Sequence, residues 1–291
     1  MTNLTREGHI SVPGGRVWYK IVGSGDTIPL LVLHGGPSFP HNYLKPLESL
    51  SDERPVVFYD QLGCGNSDRP EDPNLWHTER FVEELAKVRQ SLNLEQAHIL
   101  GHSWGSMLAI DYALTKPEGI MSLILASPCL SVPRWIEDTA IYRKKLLIEV
   151  QEVLDRNEVA GTTDSEEYEA AVMEFNRRHL YRLDPWPEVL EQTMAGAGLQ
   201  VYHTMWGPSE FFITGNLANY DSTSCLGEIA IPTLLTCGRY DEASPDTTAW
   251  YQSLIPQAEI AIFENSSHMP HLEEMELYLQ VVQEFLNGID Q

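Results

Sequence analysis

Short apolar runs rich in β-branched residues recur along the chain between segments whose apolar positions repeat at helical spacing. That alternation predicts the strands and helices of an α/β sheet. Residues 17–22, 30–33 and 56–59 read as strands, 78–92 as an amphipathic helix, and 97–100 as a further strand. A helix over about 104–114 follows and is stopped by Lys116-Pro117, after which 121–126 reads as another buried strand. From about 130 to 228 the β-type runs vanish and helical segments such as 136–154 and 166–180 dominate. Strands resume at 233–237 and 259–263, and an amphipathic helix over about 272–286 follows. The expected organisation is therefore a sheet-based core of residues 1–129 and 229–291, interrupted by a helical cap of residues 130–228.

Composition narrows the class. With 43% hydrophobic and 21% charged residues among 291, the chain is of ordinary globular make-up. Its 42 acidic against 19 basic residues leave a formal charge of −23, a field that repels nucleic-acid backbones and anionic lipid headgroups. No apolar run approaches the ~18 residues of a membrane span, and the first residues lack the apolar stretch of a signal peptide. Cys64, Cys129, Cys225 and Cys237 lie far apart, without a CxxC or a His pair at metal-ligand spacing. These features predict a cytoplasmic protein with reduced thiols, no metal, no cofactor, and no nucleic-acid or membrane partner.

Gly101-His102-Ser103-Trp104-Gly105 matches G-x-S-x-G, in which two glycines allow a tight strand-to-helix turn that presents the serine hydroxyl. The motif is short, so its context carries the inference: a strand pattern precedes it and a helical one follows. Ser103 is then the expected nucleophile. A serine needs a base oriented by a carboxylate, and on this topology the chain order is serine, acid, histidine. Asp241, in the turn after 233–237, is the expected acid, with Asp246 as rival; Asp246 follows Ser244-Pro245 and reads as an acidic residue at a helix start. His268, between the last strand and the last helix, is the expected base, while His271 opens a helix where a capping or surface role suits it. The backbone N–H of Trp104 is one oxyanion donor by construction, and Leu33-His34-Gly35-Gly36-Pro37 offers a second. Because Pro37 has no N–H, Gly36 is preferred and Gly35 comes second.

Taken together these motifs resemble the proline iminopeptidase (prolyl aminopeptidase) family of α/β-hydrolases, with its tricorn-interacting aminopeptidase and amino acid amidase relatives. His34-Gly35-Gly36-Pro37 is similar to the family's oxyanion loop, Asp60-Gln61-Leu62-Gly63-Cys64-Gly65-Asn66-Ser67 to its DQ-x-GCG-x-S stretch, and Arg239-Tyr240-Asp241-Glu242 to its acid turn. His179-Leu180-Tyr181-Arg182, Pro185-Trp186-Pro187-Glu188 and Gly207-Pro208-Ser209-Glu210-Phe211 resemble its cap segments. The resemblance implies an α/β-hydrolase fold and a serine aminopeptidase. It also implies that Glu210 and Glu242 bind the free α-amino group of a small peptide or amino acid amide. Without it, either glutamate reads as a solvated acidic residue. Ser38 and Tyr181 depart from the family pattern and fall where they can reshape the acyl pocket. Release of ammonia from amino acid amides is the alternative reaction, followed by ester or lactone hydrolysis and by a non-catalytic receptor on the same fold.

Overall fold

The computed structural model describes residues 4–291. Eight strands form one sheet in the order β1-β2-β4-β3-β5-β6-β7-β8. β1 (Thr5–Val12) and β2 (Gly15–Val22) make an antiparallel hairpin, and β2 pairs antiparallel with β4 (Val56–Tyr59). β3 (Leu30–Leu33), β4, β5 (Ala97–His102), β6 (Ile120–Ala126), β7 (Thr233–Gly238) and β8 (Glu259–Phe263) run parallel.

The central strands are apolar on both faces, as a parallel sheet covered by helices requires. Alternate residues go to opposite layers. Leu31, Leu33, Val57, Ile99, Leu123 and Leu235 pack with α1 (Thr78–Ser91), α2 (Trp104–Leu114) and α8 (Pro245–Leu254). Leu30, Val32, Phe58, Leu100, Ile124 and Leu234 pack with the 3₁₀ segment His41–Asp52 and with α10 (Met275–Ile289). Each such side chain fully withdrawn from water contributes about 1.5–3 kcal/mol before entropy is counted.

Between β6 and β7 lie α3 (Val132–Arg143), α4 (Ile148–Ala160), α5 (Glu166–His179), α6 (Glu188–Gly196) and α7 (Leu199–Met205). Residues 136–154, read from sequence as one helix, are two. The chain turns after Arg143 so that Leu146 enters a separate apolar cluster with Leu154, Tyr168, Phe175 and Phe211. Arg143 then pairs back to Asp155 and Glu158 of α4. α5 carries strong end signals: Ser165 accepts from the Tyr168 N–H, Glu166, Glu167 and Glu169 occupy the first turn, and Arg177, Arg178 and His179 the last. The helical segment is tied to the loops below it, since the Gly198 N–H donates to Ser38 O at 3.0 Å and the Gly65 N–H to Gly196 O at 2.9 Å.

Candidate active site

Ser103 stands where β5 passes into α2, with φ 54° and ψ −119°. That conformation costs a non-glycine residue on the order of 1–3 kcal/mol and is characteristic of functional turns. The flanking glycines are required by close approach. A Cβ on Gly101 would lie 2.2 Å from the Gly105 carbonyl oxygen, and one on Gly105 would lie 2.3 Å from that of Leu33. Both Ser103 and His268 line a cavity of about 760 Å³, as do Gly36 and Glu210.

Asp241 leaves the end of β7 and is fully buried. Its Oδ1 accepts from the Ala243 N–H at 2.8 Å and from His268 Nδ1–H at 2.7 Å, which sets the imidazole with Nε2 free to exchange a proton. Asp246 is exposed in the first turn of α8, where Ser244 caps the helix by accepting from the Thr247 N–H. The backbone of His268 is held from both sides. Its N–H donates to His179 O at 3.2 Å, and its carbonyl accepts from His102 Nε2–H at 2.8 Å and from the Ser127 hydroxyl at 3.0 Å. Glu273 accepts from the Ser267 N–H at 2.6 Å and from the Arg182 N–H at 2.8 Å, fastening the histidine loop to the end of the α5 connection.

The Gly35 N–H donates to the Tyr43 hydroxyl at 2.8 Å, so Gly35 is already engaged and Gly36 is the better-placed donor of this turn. Gly36 has φ +116°, and a Cβ there would stand 2.6 Å from Ser38 N, so only glycine fits. Trp104 opens α2, with its indole N–H donating to Gln61 Oε1 at 2.8 Å. Ser38, the departure noted in sequence, also takes positive φ, and its hydroxyl donates to Gly198 O at 2.8 Å.

Glu242 is fully buried, and neither carboxylate oxygen has a hydrogen-bond partner among the described residues. Its Oε1 is 3.8 Å from His268 Nε2. Burial raises its pKa well above the usual range, and the charges of Glu210 and Asp241 push it the same way. Glu210 is raised too, by burial, although the Tyr202 hydroxyl donating to its Oε1 at 2.8 Å and the nearby His268 draw it back. Two buried carboxyl groups thus act on each other, and among the described residues no lysine or arginine is paired to either.

One expectation needs correction. His271, read as a capping or surface residue, is 1% exposed and packs its ring among Tyr43, His102 and Tyr278; burial, with His268 beside it, pulls its pKa down to about 3. The short helix it opens, α9 (Pro270–Glu273), faces inward, which no local polarity pattern announces. The ring of His102, beside the nucleophile in the turn, bridges Tyr43 and His268. Tyr43, Ser127 and Glu273 carry no motif that the sequence singles out, and His179 enters only as part of a cap segment. Cys64 is a buried thiol 3.5 Å from His34 Nε2, raised by burial and then by Asp60 and Glu84, which keeps it protonated and unreactive.

Comparison with known proteins identifies the family. A family model described as alpha/beta hydrolase fold matches residues 28–275. A proline iminopeptidase of Heyndrickxia coagulans is 53% identical over 285 residues, spanning 97% of this chain and 99% of that protein. The crystal structure of VinJ superposes with a TM-score of 0.94 at 36% identity, covering 98% of this chain and 99% of that one. The crystal structure of a proline iminopeptidase from Mycobacterium smegmatis does so with a TM-score of 0.90 at 35% identity and the same coverage. With these relatives matched from end to end, the chain belongs to the proline iminopeptidase family of α/β-hydrolases and is a serine hydrolase.

Proposed function

We propose that this protein is an aminopeptidase that releases an N-terminal prolyl, or another small apolar, residue from short peptides in the cytoplasm. The observation that carries the reading is the buried Glu242 carboxylate, without a hydrogen-bond donor among the described residues, 3.8 Å from His268 Nε2 and repelled by a second buried carboxyl at Glu210. A protonated prolyl nitrogen carries two N–H donors and one positive charge, so two carboxylates are its natural partners. An acylated nitrogen brings neither charge nor a second donor. Four cysteines without a disulfide fit a reducing compartment.

In this reading Ser103 Oγ attacks the carbonyl carbon of the first residue while His268 Nε2 takes its proton and Asp241 holds the imidazole. The Trp104 and Gly36 N–H groups receive the charge on the tetrahedral oxygen. His268 returns the proton to the leaving amine; water, deprotonated by the same imidazole, then attacks the acyl carbon, and the imidazole passes that proton to Ser103 Oγ as the acyl–oxygen bond breaks. Residues 130–228 act as the cap that delivers Glu210, and residues 1–129 with 229–291 as the core that supplies the triad.

The test compares kcat/KM for prolyl anilide and its N-acetyl analogue in wild type, Glu210→Gln and Glu242→Gln. Losing one member of a buried charge pair costs roughly 2–5 kcal/mol, so each variant should lose about 30-fold or more on the free amine. Both carboxyl groups titrate above the ordinary range and must be ionised to hold the ammonium, so kcat/KM rises with pH through that limb. It falls again as the substrate amine loses its proton. Equal wild-type rates on the two substrates would leave an esterase or amidase with no reader of the amino group.

A further inference from the structure

His102, the first variable residue of the G-x-S-x-G turn, takes no part in the triad, yet its ring joins two halves of the site. Nε2–H donates to the His268 carbonyl at 2.8 Å, Nδ1 accepts from the Tyr43 hydroxyl at 2.8 Å, and the Tyr43 oxygen accepts from the Gly35 N–H at 2.8 Å. Every proton in this chain is fixed from its ends. A carbonyl only accepts, so Nε2 must carry hydrogen; an amide only donates, so the Tyr43 oxygen must receive it. The Tyr43 proton then has Nδ1 as its acceptor, provided that His102 is neutral. Burial, with His268 and His271 alongside, holds His102 well below the usual imidazole range. Tyr43 and His102 are both buried, with ring centroids 5.2 Å apart.

We propose that Tyr43 and His102 are positioning residues for the hydrolysis, binding the oxyanion loop and the backbone of the general base into one hydrogen-bonded frame. The two groups they connect act on opposite sides of one event, since the loop receives the negative charge while His268 holds the proton. A shift between them weakens transition-state stabilisation more than ground-state binding, because among the described residues no hydrogen bond joins Tyr43 or His102 to Glu210 or Glu242, the side chains that read the amino group. Packing alone does not account for the Tyr43 hydroxyl, since a phenylalanine fills the same space in the layer with Leu44, Leu47 and Tyr278. The inference rests on the triad assignment above.

Tyr43→Phe is the direct test. Displacement of reacting groups on the sub-ångström to ångström scale is worth up to about 100-fold, so kcat should fall about 10- to 100-fold with KM and inhibition by free proline within about twofold of wild type. A prolyl boronate, which mimics the tetrahedral state, should lose affinity in parallel with kcat/KM. His102→Gln, which keeps a donor for the His268 carbonyl, should retain more kcat than His102→Leu. In the wild type, nitrogen NMR of labelled histidine should report His102 as the Nε2–H tautomer, a measurement independent of how any variant folds. An unchanged kcat in Tyr43→Phe, an equal loss of product affinity and kcat, or an Nδ1–H tautomer at His102 would each overturn the proposal. Fluorophosphonate labelling of wild type, lost in Ser103→Ala, checks the triad separately.

Discussion

Two aspartates follow β7 closely, and only their surroundings separate them. Asp241 is buried against the His268 ring, whereas Asp246 is exposed at the start of α8. An asparagine at 241 can present its amide to Nδ1 and stabilise the wrong tautomer, so Asp241→Asn should lower kcat by about 10⁴-fold. Asp246→Asn should stay within about twofold, with its cost confined to the helix terminus. Steady-state kinetics on prolyl anilide decides between them, and the reverse pattern would move the acid to Asp246. The proposed triad positions were legible in sequence because each follows a strand with a local signal: glycines around Ser103, the turn after β7, and the loop before the last helices. Glu210 and Glu242 were legible only through the family resemblance, as a carboxylate's burial depends on what folds over it. Tyr43 and His102 were opaque for the same reason, since their roles lie in contacts with Gly35 and His268 that no spacing encodes.

At the level of elements, the parallel strands were readable because burial on both faces makes them continuous apolar runs. β1 was not, since its burial pattern leaves only Ile10 inside and the rest exposed or half-buried. The division between α3 and α4 was hidden as well. No glycine or proline lies between Arg143 and Ile148, and the turn is set by Leu146 entering the cluster with Leu154, Tyr168, Phe175 and Phe211. That account has a sharp consequence. Leu146 is 5% exposed while its neighbour Leu147 is 63% exposed. Leu146→Ala should destabilise by about 2–5 kcal/mol, and Leu147→Ala should lie within about 0.5 kcal/mol of wild type. Chemical denaturation of the two variants checks this, and comparable losses would mean that the turn is a property of the local sequence rather than of the cluster beneath it.

Over the whole molecule the −23 charge acts as a field on the substrate that the proposed clamp selects. Basic side chains do little to break it, because Arg16, Lys20, Arg54, Arg143, Arg156 and Arg239 each face a carboxylate. A free ammonium is therefore drawn toward the protein from beyond contact distance, and added salt shortens the reach of that attraction to about 10 Å at 0.1 M and about 3 Å at 1 M. The buried contacts with Glu210 and Glu242 are screened far less, so salt separates approach from recognition. Raising NaCl from low concentration to about 0.5 M should lower kcat/KM for prolyl-lysinamide, which carries two positive charges, by roughly 3- to 10-fold. Prolyl-glutamyl amide, with no net charge, should change by less than about twofold. Throughout, kcat should hold steady, because the chemical step begins after the ammonium is seated. Salt dependence that is the same for both peptides would place the effect on the enzyme's own conformation instead of on the approach of the substrate.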